Sequence, residues 1–182
     1  MGLVAALGLA AAQVTGEIQG NTTAPADATI FEVTFPPGGI SFTFDFTDTT
    51  VTDPNRASWN AYRRVALNSG IVAWLSSTTP PASNTFTVAS SKPFTIALGQ
   101  PVITGTGFSA DRYKVVIYNE TKRMVSASVT LDTLTAPSTP VATEDAGSYT
   151  YSVNMQVLLR HGDDVSGYNQ TITVPIIVIP NP

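Results

Sequence analysis

The chain has 182 residues, a net charge of −4 and no cysteine. This length suits one domain, and the lack of cysteine excludes disulfides, thiolate metal sites and cysteine nucleophiles. Only 12% of the residues are charged, against about 25% in ordinary soluble domains, and the absence of a basic cluster argues against a nucleic-acid partner.

The chain opens on an apolar run, residues 2–18. The run has three possible interpretations: the core of a secretory signal, a helix that touches a membrane, or a strand that completes a neighbouring molecule. No basic residue precedes Leu3, and the first one in the chain is Arg56, which argues against a signal peptide. The run up to Gln13 is also shorter than the ~20 residues that a spanning helix needs.

At period two, this run places leucines on one face and alanine or glycine on the other. Large residues opposite small ones suit a strand that lies in a hydrophobic groove. At period 3.6 a helix also fits, although Gly8 weakens it by about 1 kcal/mol relative to alanine. We favour the strand and predict that residues 3–15 insert into an adjacent copy. The predicted interface residues are Leu3, Val4, Ala5, Leu7, Leu9 and Ala11.

Strands dominate the rest of the chain. The clearest alternation starts at Ile40, where Phe42, Phe44 and Phe46 share one face and polar residues occupy the other, a pattern typical of a half-buried strand. Pro175 cannot donate to a central ladder, which places the last strand partly at a sheet edge. Strands are predicted at 29–35, 40–51, 71–75, 85–89, 93–98, 101–104, 113–118, 125–131, 149–159 and 170–179.

Local signals also predict how some of these strands are connected. The strands 85–89 and 93–98 are expected to pair across a serine turn, and 113–118 is expected to form a hairpin with 125–131. The segment 133–143 is polar and holds two prolines, so it is predicted to be a loop.

One internal helix is predicted, over residues 53–70. Asp53 followed by proline is a favourable helix start, and an apolar face begins at Trp59. Arg63 and Arg64 make this the most basic place in the chain, and we interpret them as a solvated helix face rather than a ligand site. Together the elements predict an all-β fold: a single immunoglobulin-like or jelly-roll β-sandwich with one short helix and an extended N-terminal strand. Residues 1–20 are the extension and 21–182 the sandwich.

Residues suited to catalysis or metal binding are scarce. His161 is the only histidine, which is too few for a typical zinc site without cysteine; a Ser-His-Asp triad stays formally open because its members are distant in sequence. Two clusters of carboxylate and hydroxyl side chains could offer oxygen atoms to calcium. Neither cluster has the spacing of an EF-hand loop, and we interpret both as solvated turns. We therefore predict no enzyme, no cofactor and no small-molecule substrate. The first of these clusters consists of Asp163, Asp164 and Ser166, and the second consists of Asp45, Asp48 and Asp53.

Three sequons permit N-glycosylation if the chain is exported. They begin at Asn21, Asn119 and Asn169. A chain rich in threonine also generates sequons by chance, so glycosylated and unmodified chains remain equal alternatives.

The stretch from Asp145 to Tyr151 resembles the Asp-Ala-Gly-x-Tyr-x-Cys stretch of immunoglobulin-like domains. Tyr149 matches the tyrosine that makes a corner bond there, whereas Tyr151 replaces the cysteine, so the disulfide is missing. The segment from Ala146 to Met155 also resembles the penultimate strand of cysteine-free chaperone-usher pilins. These likenesses support a fold, not a function.

The overall plan is similar to filament subunits joined by donor strands, in particular archaeal bundling pilins and TasA-type biofilm fibre proteins. An apolar N-terminal strand, a sandwich without cysteine and a sparsely charged Thr/Ser/Asn surface carry this resemblance. Residues 118–121 and 125–131 resemble the strand–polar turn–strand unit of TasA-like domains. The N-terminus, rich in glycine and alanine, departs from the tail of bacterial pilins.

The resemblance implies a structural subunit of an extracellular filament, a cell-surface appendage whose partners are other copies of the chain, with lateral contacts between filaments. The alternative is a jelly-roll viral capsid subunit with an N-terminal arm. A third hypothesis, a carbohydrate-binding module, requires Trp59, Tyr62 and Trp74 to be exposed on one face.

Overall fold

The computed structural model describes residues 13–22, 30–36, 40–45, 73–76, 84–160, 163 and 168–182. Within them the chain forms two six-stranded sheets, which confirms the predicted all-β sandwich. The predicted helix at 53–70 lies outside the described residues. The strands are β1 (Gln13–Thr22), β2 (Phe31–Thr34), β3 (Ile40–Asp45), β4 (Ala73–Ser76), β5 (Thr85–Ser90), β6 (Phe94–Gly99), β7 (Val102–Thr106), β8 (Tyr113–Asn119), β9 (Met124–Thr130), β10 (Ser138–Glu144), β11 (Gly147–Leu159) and β12 (Asn169–Pro180).

The first sheet has the order β10-β6-β12-β1-β3, with β7 also paired to β12. Its strands are antiparallel except for β1 and β12, which run parallel. The second sheet has the order β2-β5-β11-β8-β9, with β4 also paired to β11, and all of its pairs are antiparallel. The predicted hairpin of β8 and β9 is confirmed.

The core lies between the two sheets and is filled by alternate residues of their strands. In β12, Val174, Ile176 and Val178 are fully buried, whereas the residues between them are half-buried. The predicted aromatic face that starts at Ile40 is confirmed for Ile40 and Phe42, which are both fully buried. Because successive side chains of a strand point to opposite faces, this period-two pattern gives each sheet one apolar face.

The predicted pairing of β5 with β6 is wrong. β5 pairs with β2 and β11 in one sheet, and β6 pairs with β10 and β12 in the other. The connection turns sharply because the Ser90 hydroxyl donates to the Lys92 carbonyl at 2.7 Å and accepts from the Lys92 amide at 3.2 Å. Pro93 follows and has no amide to donate, so the chain crosses between the sheets instead of forming a hairpin.

The prediction of a loop at 133–143 is wrong for its second half, because residues 138–143 belong to the strand β10. This strand lies at the edge of its sheet and pairs with β6 alone among the described strands. An edge strand leaves half of its backbone groups free and so accommodates Pro140, next to which the register shifts. The polar composition that indicated a loop is therefore that of an exposed edge.

Pro175 lies in a central strand, so the predicted edge position is wrong. β12 pairs with β1 on one side and with both β6 and β7 on the other. Pro175 falls at the gap between β6 and β7, where a Cβ on Gly99 would lie 3.0 Å from the proline ring. Proline is tolerated there because the ladder is already interrupted.

Gly105 provides a test of this part of the sheet. Its φ is +84°, and a Cβ built on it would collide with the backbone oxygen of Asn169. Gly105→Ala should therefore lower the free energy of unfolding by about 1–3 kcal/mol, because the left-handed backbone and the clash both oppose a side chain. Urea denaturation measures this change. Thr104→Ala, at an exposed neighbouring position, is the control and should have little effect.

Candidate assembly surface: the N-terminal pole and the sheet edges

The N-terminal strand is part of the chain's own sheet. Gln13 lies opposite Asn169 of β12 and Asp45 of β3, and pairing continues along β1 on both sides. The part of the predicted insertion segment from Gln13 onward is therefore already paired within its own molecule. The prediction that residues 3–15 insert into another copy is therefore wrong for residues 13–15 and stays a prediction for the residues before Gln13. The six predicted interface residues between Leu3 and Ala11 lie outside the described residues.

This placement changes the geometry expected of a contact between copies. Each interior strand of the two described sheets has a partner on both sides, so an incoming strand finds no vacant position between described neighbours. It can add to a sheet edge, where unpaired backbone amides and carbonyls form a template for another strand. The edges are therefore the candidate interface.

β1 begins at Gln13 at one end of the sandwich, which we call the N-terminal pole. Gln13, Asn169 and Thr106 lie level there in the first sheet, and β8 of the second sheet is entered through the 3₁₀ turn Ala110–Arg112. The first described strand thus begins at this pole, in the middle of a sheet that holds it on both sides.

The pole is fixed by a buried arginine. Arg112 forms an ion pair with Asp163, donates through Nε to the Leu158 carbonyl at 2.8 Å and lies 4.4 Å from the ring centre of Phe108. Asp163 also accepts from the Arg160 amide at 2.6 Å. The interpretation of Asp163 as part of a solvated acidic turn is therefore wrong, because its carboxylate neutralises a buried cation.

A second polar network lies beside this arginine. The Tyr113 hydroxyl donates to Gln170 Oε1 at 2.5 Å, and Gln170 Nε2 donates to the Phe108 carbonyl at 2.8 Å. All three residues are buried. Burial raises the pKa of Tyr113 far above its ordinary value, so the phenol stays protonated and keeps donating.

At one flank of the sandwich the edges are β9 and β10, and Glu144 ties them together. Its buried carboxylate accepts from Asn119 Nδ2 at 3.1 Å, Lys122 Nζ at 2.5 Å and Ser126 Oγ at 3.4 Å. The hydrogen bond to Glu144 raises the pKa of the Lys122 ammonium. We call this group the Glu144 latch: it connects the end of β10 to the turn before β9 and to β9 itself.

The three sequons differ in their surroundings. Asn119 is fully buried, and its Nδ2, the atom to which a glycan would be attached, is part of the Glu144 latch. Asn169 is exposed at the N-terminal pole, and Asn21 belongs to β1. Asn119 therefore has a structural role in the folded chain, and glycosylation stays a prediction.

The other candidate residues do not converge on a single site. Trp74 is half-buried, with the Lys114 ammonium 4.4 Å from its ring centre, whereas Trp59 and Tyr62 lie outside the described residues. Tyr149, expected to form a corner bond, packs its ring against Gly147 and edge-on against Phe94. Within the described ranges there is no group of three potential metal ligands and no helix long and apolar enough to cross a membrane.

Two adjacent apolar side chains are exposed on β9: Met124 is 54% and Val125 52% accessible. Successive residues of a strand point to opposite faces, so this edge presents apolar surface on both sides. The other large apolar residues that are exposed in the described structure lie on different segments. They are Ile30, Val102 and Ile179. The sequence predicted β9 as a strand, but only the folded structure shows that it lies at the edge of a sheet.

Comparison with known proteins does not assign the chain to a family. No protein-family model matches the sequence, and the curated proteins include no significant match.

Tyr151 yields a prediction about pH. Its ring is buried against Phe86 at 4.9 Å, and its hydroxyl makes no hydrogen bond within the described residues. Burial, then the neighbouring Glu144 carboxylate, raise the pKa of Tyr151. Because the unfolded chain loses this proton near pH 10, the stabilisation is complete below that pH and decreases above it. The expected slope is about 1.4 kcal/mol per pH unit for each such tyrosine.

Tyr151→Phe should remove one tyrosine's share of that slope and change stability little at pH 7, because no hydrogen bond of regular geometry is lost. Urea denaturation between pH 9 and 11.5 measures both effects. Tyr113→Phe is the comparison: it should also flatten the slope, but it should cost about 1–3 kcal/mol at pH 7, because Gln170 loses a donor. An unchanged alkaline slope in Tyr151→Phe would contradict the assignment.

Proposed function

We propose that the chain is a structural subunit of an extracellular filament, a cell-surface appendage, and that it polymerises head-to-tail through the apolar run before Gln13. The observation that carries this proposal is the position of β1. The run directly precedes a strand that is held in the middle of a sheet by β12 and β3. A segment attached at such a place is anchored firmly to its own subunit and can transmit a pull to the next one.

The energetics of the contact are adequate. Burying Leu3, Leu7 and Leu9 at about 1.5–3 kcal/mol each contributes about 5–9 kcal/mol. Ladder hydrogen bonds to an edge strand add about 0.5–1.5 kcal/mol apiece. Even after ordering of the segment is subtracted, the sum is comparable with the 5–15 kcal/mol that stabilises a domain.

The symmetry of the contact favours a filament. A segment of one copy and an edge of the next are different surfaces, so the interface is heterologous. Such an interface need not close on itself, and repetition then produces an open helical polymer. The low proportion of charged residues agrees with a surface largely covered by identical neighbours, including lateral contacts between filaments.

Electron microscopy and sedimentation velocity of the purified full-length chain test the proposal. Filaments that grow with protein concentration are the expected result. Closed shells would support the capsid alternative, and a monomer at all concentrations would reject polymerisation.

A further inference from the structure

We propose that the folded domain is built to resist tension along the chain, with the parallel ladder between β1 and β12 as its mechanical clamp. β1 is the first described strand and β12 the last. Tension that enters before Gln13 and leaves after Pro180 therefore reaches this ladder first. The inference goes beyond the filament role, because it concerns the single folded domain and does not require copies to assemble.

The parallel arrangement sets the direction in which the clamp is pulled. Gln13 lies opposite Asn169 at the N-terminal pole. Pairing continues over ten residues to Thr22, which lies opposite Val178 near the other end of the sheet. Tension thus enters β1 at one end of the sheet and leaves β12 at the opposite end, about 36 Å away along the strands. The two strands are pulled in opposite directions along their own axes, which is shear.

Shear loads many hydrogen bonds at once. The bonds of a parallel ladder are evenly spaced along the two strands, so a pull along the strand axes distributes the force over ten residue pairs. A pull across the strands would instead open the pairs one after another from one end. Because each bond contributes only about 0.5–1.5 kcal/mol, resistance to force depends on how many bonds must break together.

Both strands of the clamp are also paired on their far sides. β3 pairs with residues 13–18 of β1, whereas β7 and β6 pair with residues 169–173 and 176–180 of β12. These outer ladders hold the two strands within the sheet. Sliding of either strand therefore disrupts two ladders rather than one.

The core fixes the register of the clamp. Every second residue of β12 from Ile172 to Val178 is fully buried between the sheets. A slip by one residue would turn this apolar row to the outer face, and the next register that restores it lies about 6.6 Å away. Gly20 of β1 provides a second stop: the Phe35 ring packs where its Cβ would be, so a residue with a side chain would meet the ring.

Single-molecule force spectroscopy of the full chain tests the clamp by changing only the direction of the pull. A marker domain of known unfolding force is fused to the N-terminus, and the second handle is attached to one introduced cysteine. Pro182→Cys gives the shear direction, and Thr171→Cys, opposite Thr15 in the ladder, gives the peeling direction. Both substituted positions are exposed, and the chain has no cysteine of its own, so each attachment is unique.

The first rupture should need at least about threefold more force in the shear direction, since many bonds rather than one pair resist the pull. Unaltered thermal unfolding shows that both cysteine variants fold. Equal rupture forces in the two directions would overturn the proposal.

Two matched cavities separate mechanical strength from overall stability. Val174 lies in the clamp, opposite Ile18, whereas Val157 lies in β11 of the second sheet, and both valines are fully buried. Val174→Ala and Val157→Ala should lower thermal stability by similar amounts. Only Val174→Ala should also lower the shear rupture force, by about a quarter or more, because forced unfolding follows the barrier along the path of the force.

Equal decreases of the rupture force in the two alanine variants would show that β1 and β12 do not form the clamp. That result, like equal forces in the two directions, leaves the filament role standing. The filament role fails instead if the unmodified chain does not polymerise, an outcome that leaves the measured rupture forces unchanged.

Discussion

Replacing Leu7 and Leu9 together with aspartate should convert the protein to monomers. Each leucine contributes about 1.5–3 kcal/mol when buried, so the pair contributes about 3–6 kcal/mol to each subunit contact. That loss alone corresponds to about two to four decades in the assembly constant. Two carboxylates that would have to leave water oppose the contact further. Sedimentation velocity and electron microscopy of the variant measure the result.

The matched control changes the opposite face of the same run. Ala6→Ser with Ala10→Ser keeps the side chains small and uncharged, and filaments should persist at nearly the normal yield. Both variants should retain the thermal stability of the folded domain, because the described sandwich begins at Gln13. Filaments that persist in the aspartate variant would reject the role of the N-terminal run.

Phe86→Ala should cause the largest loss of domain stability. The Phe86 ring is 1% exposed and lies between Phe35 at 5.2 Å and Tyr151 at 4.9 Å, in stacked contacts that join three segments of the second sheet. Removal of a buried aromatic side chain leaves a cavity and costs about 3–5 kcal/mol. This is a large part of the 5–15 kcal/mol available, and urea denaturation measures it.

Two controls separate the cavity from other effects. Phe86→Leu retains apolar volume and should cost less than Phe86→Ala. Thr87→Ala changes the next residue, which is exposed on the outer face of the same strand, and should have little effect. Equal losses in Phe86→Leu and Phe86→Ala would show that aromatic stacking, rather than cavity volume, dominates at this position.

The sequence predicted the elements whose signal is local. The alternation of apolar residues gave the fold class and most strands, because a period of two follows directly from the pleat of a strand. The hairpin of β8 and β9 was predictable since a short polar turn joins two adjacent strands. The sequence also drew attention to the apolar run before Gln13, whose contacts remain a prediction.

The structure decided which strands become neighbours. β5 and β6 are adjacent in sequence but belong to different sheets, and Pro175 lies in a central strand where β6 gives way to β7. Such pairings join residues far apart in the chain, and a local pattern carries no information about the strand that lies alongside.

The candidate interface also combines a feature that the sequence shows with one that only the fold provides. The charge-free composition of β9 is visible in the sequence, but its exposure depends on its place at the end of a sheet. The sequence predicted a solvated turn at Asp163 and a sequon at Asn119, whereas the contacts of Asp163 with Arg112 and of Asn119 with Glu144 depend on the tertiary structure. Periodicity therefore determined which residues form strands, whereas strand order determined which edges are free, because an edge is defined by the neighbour that a strand lacks.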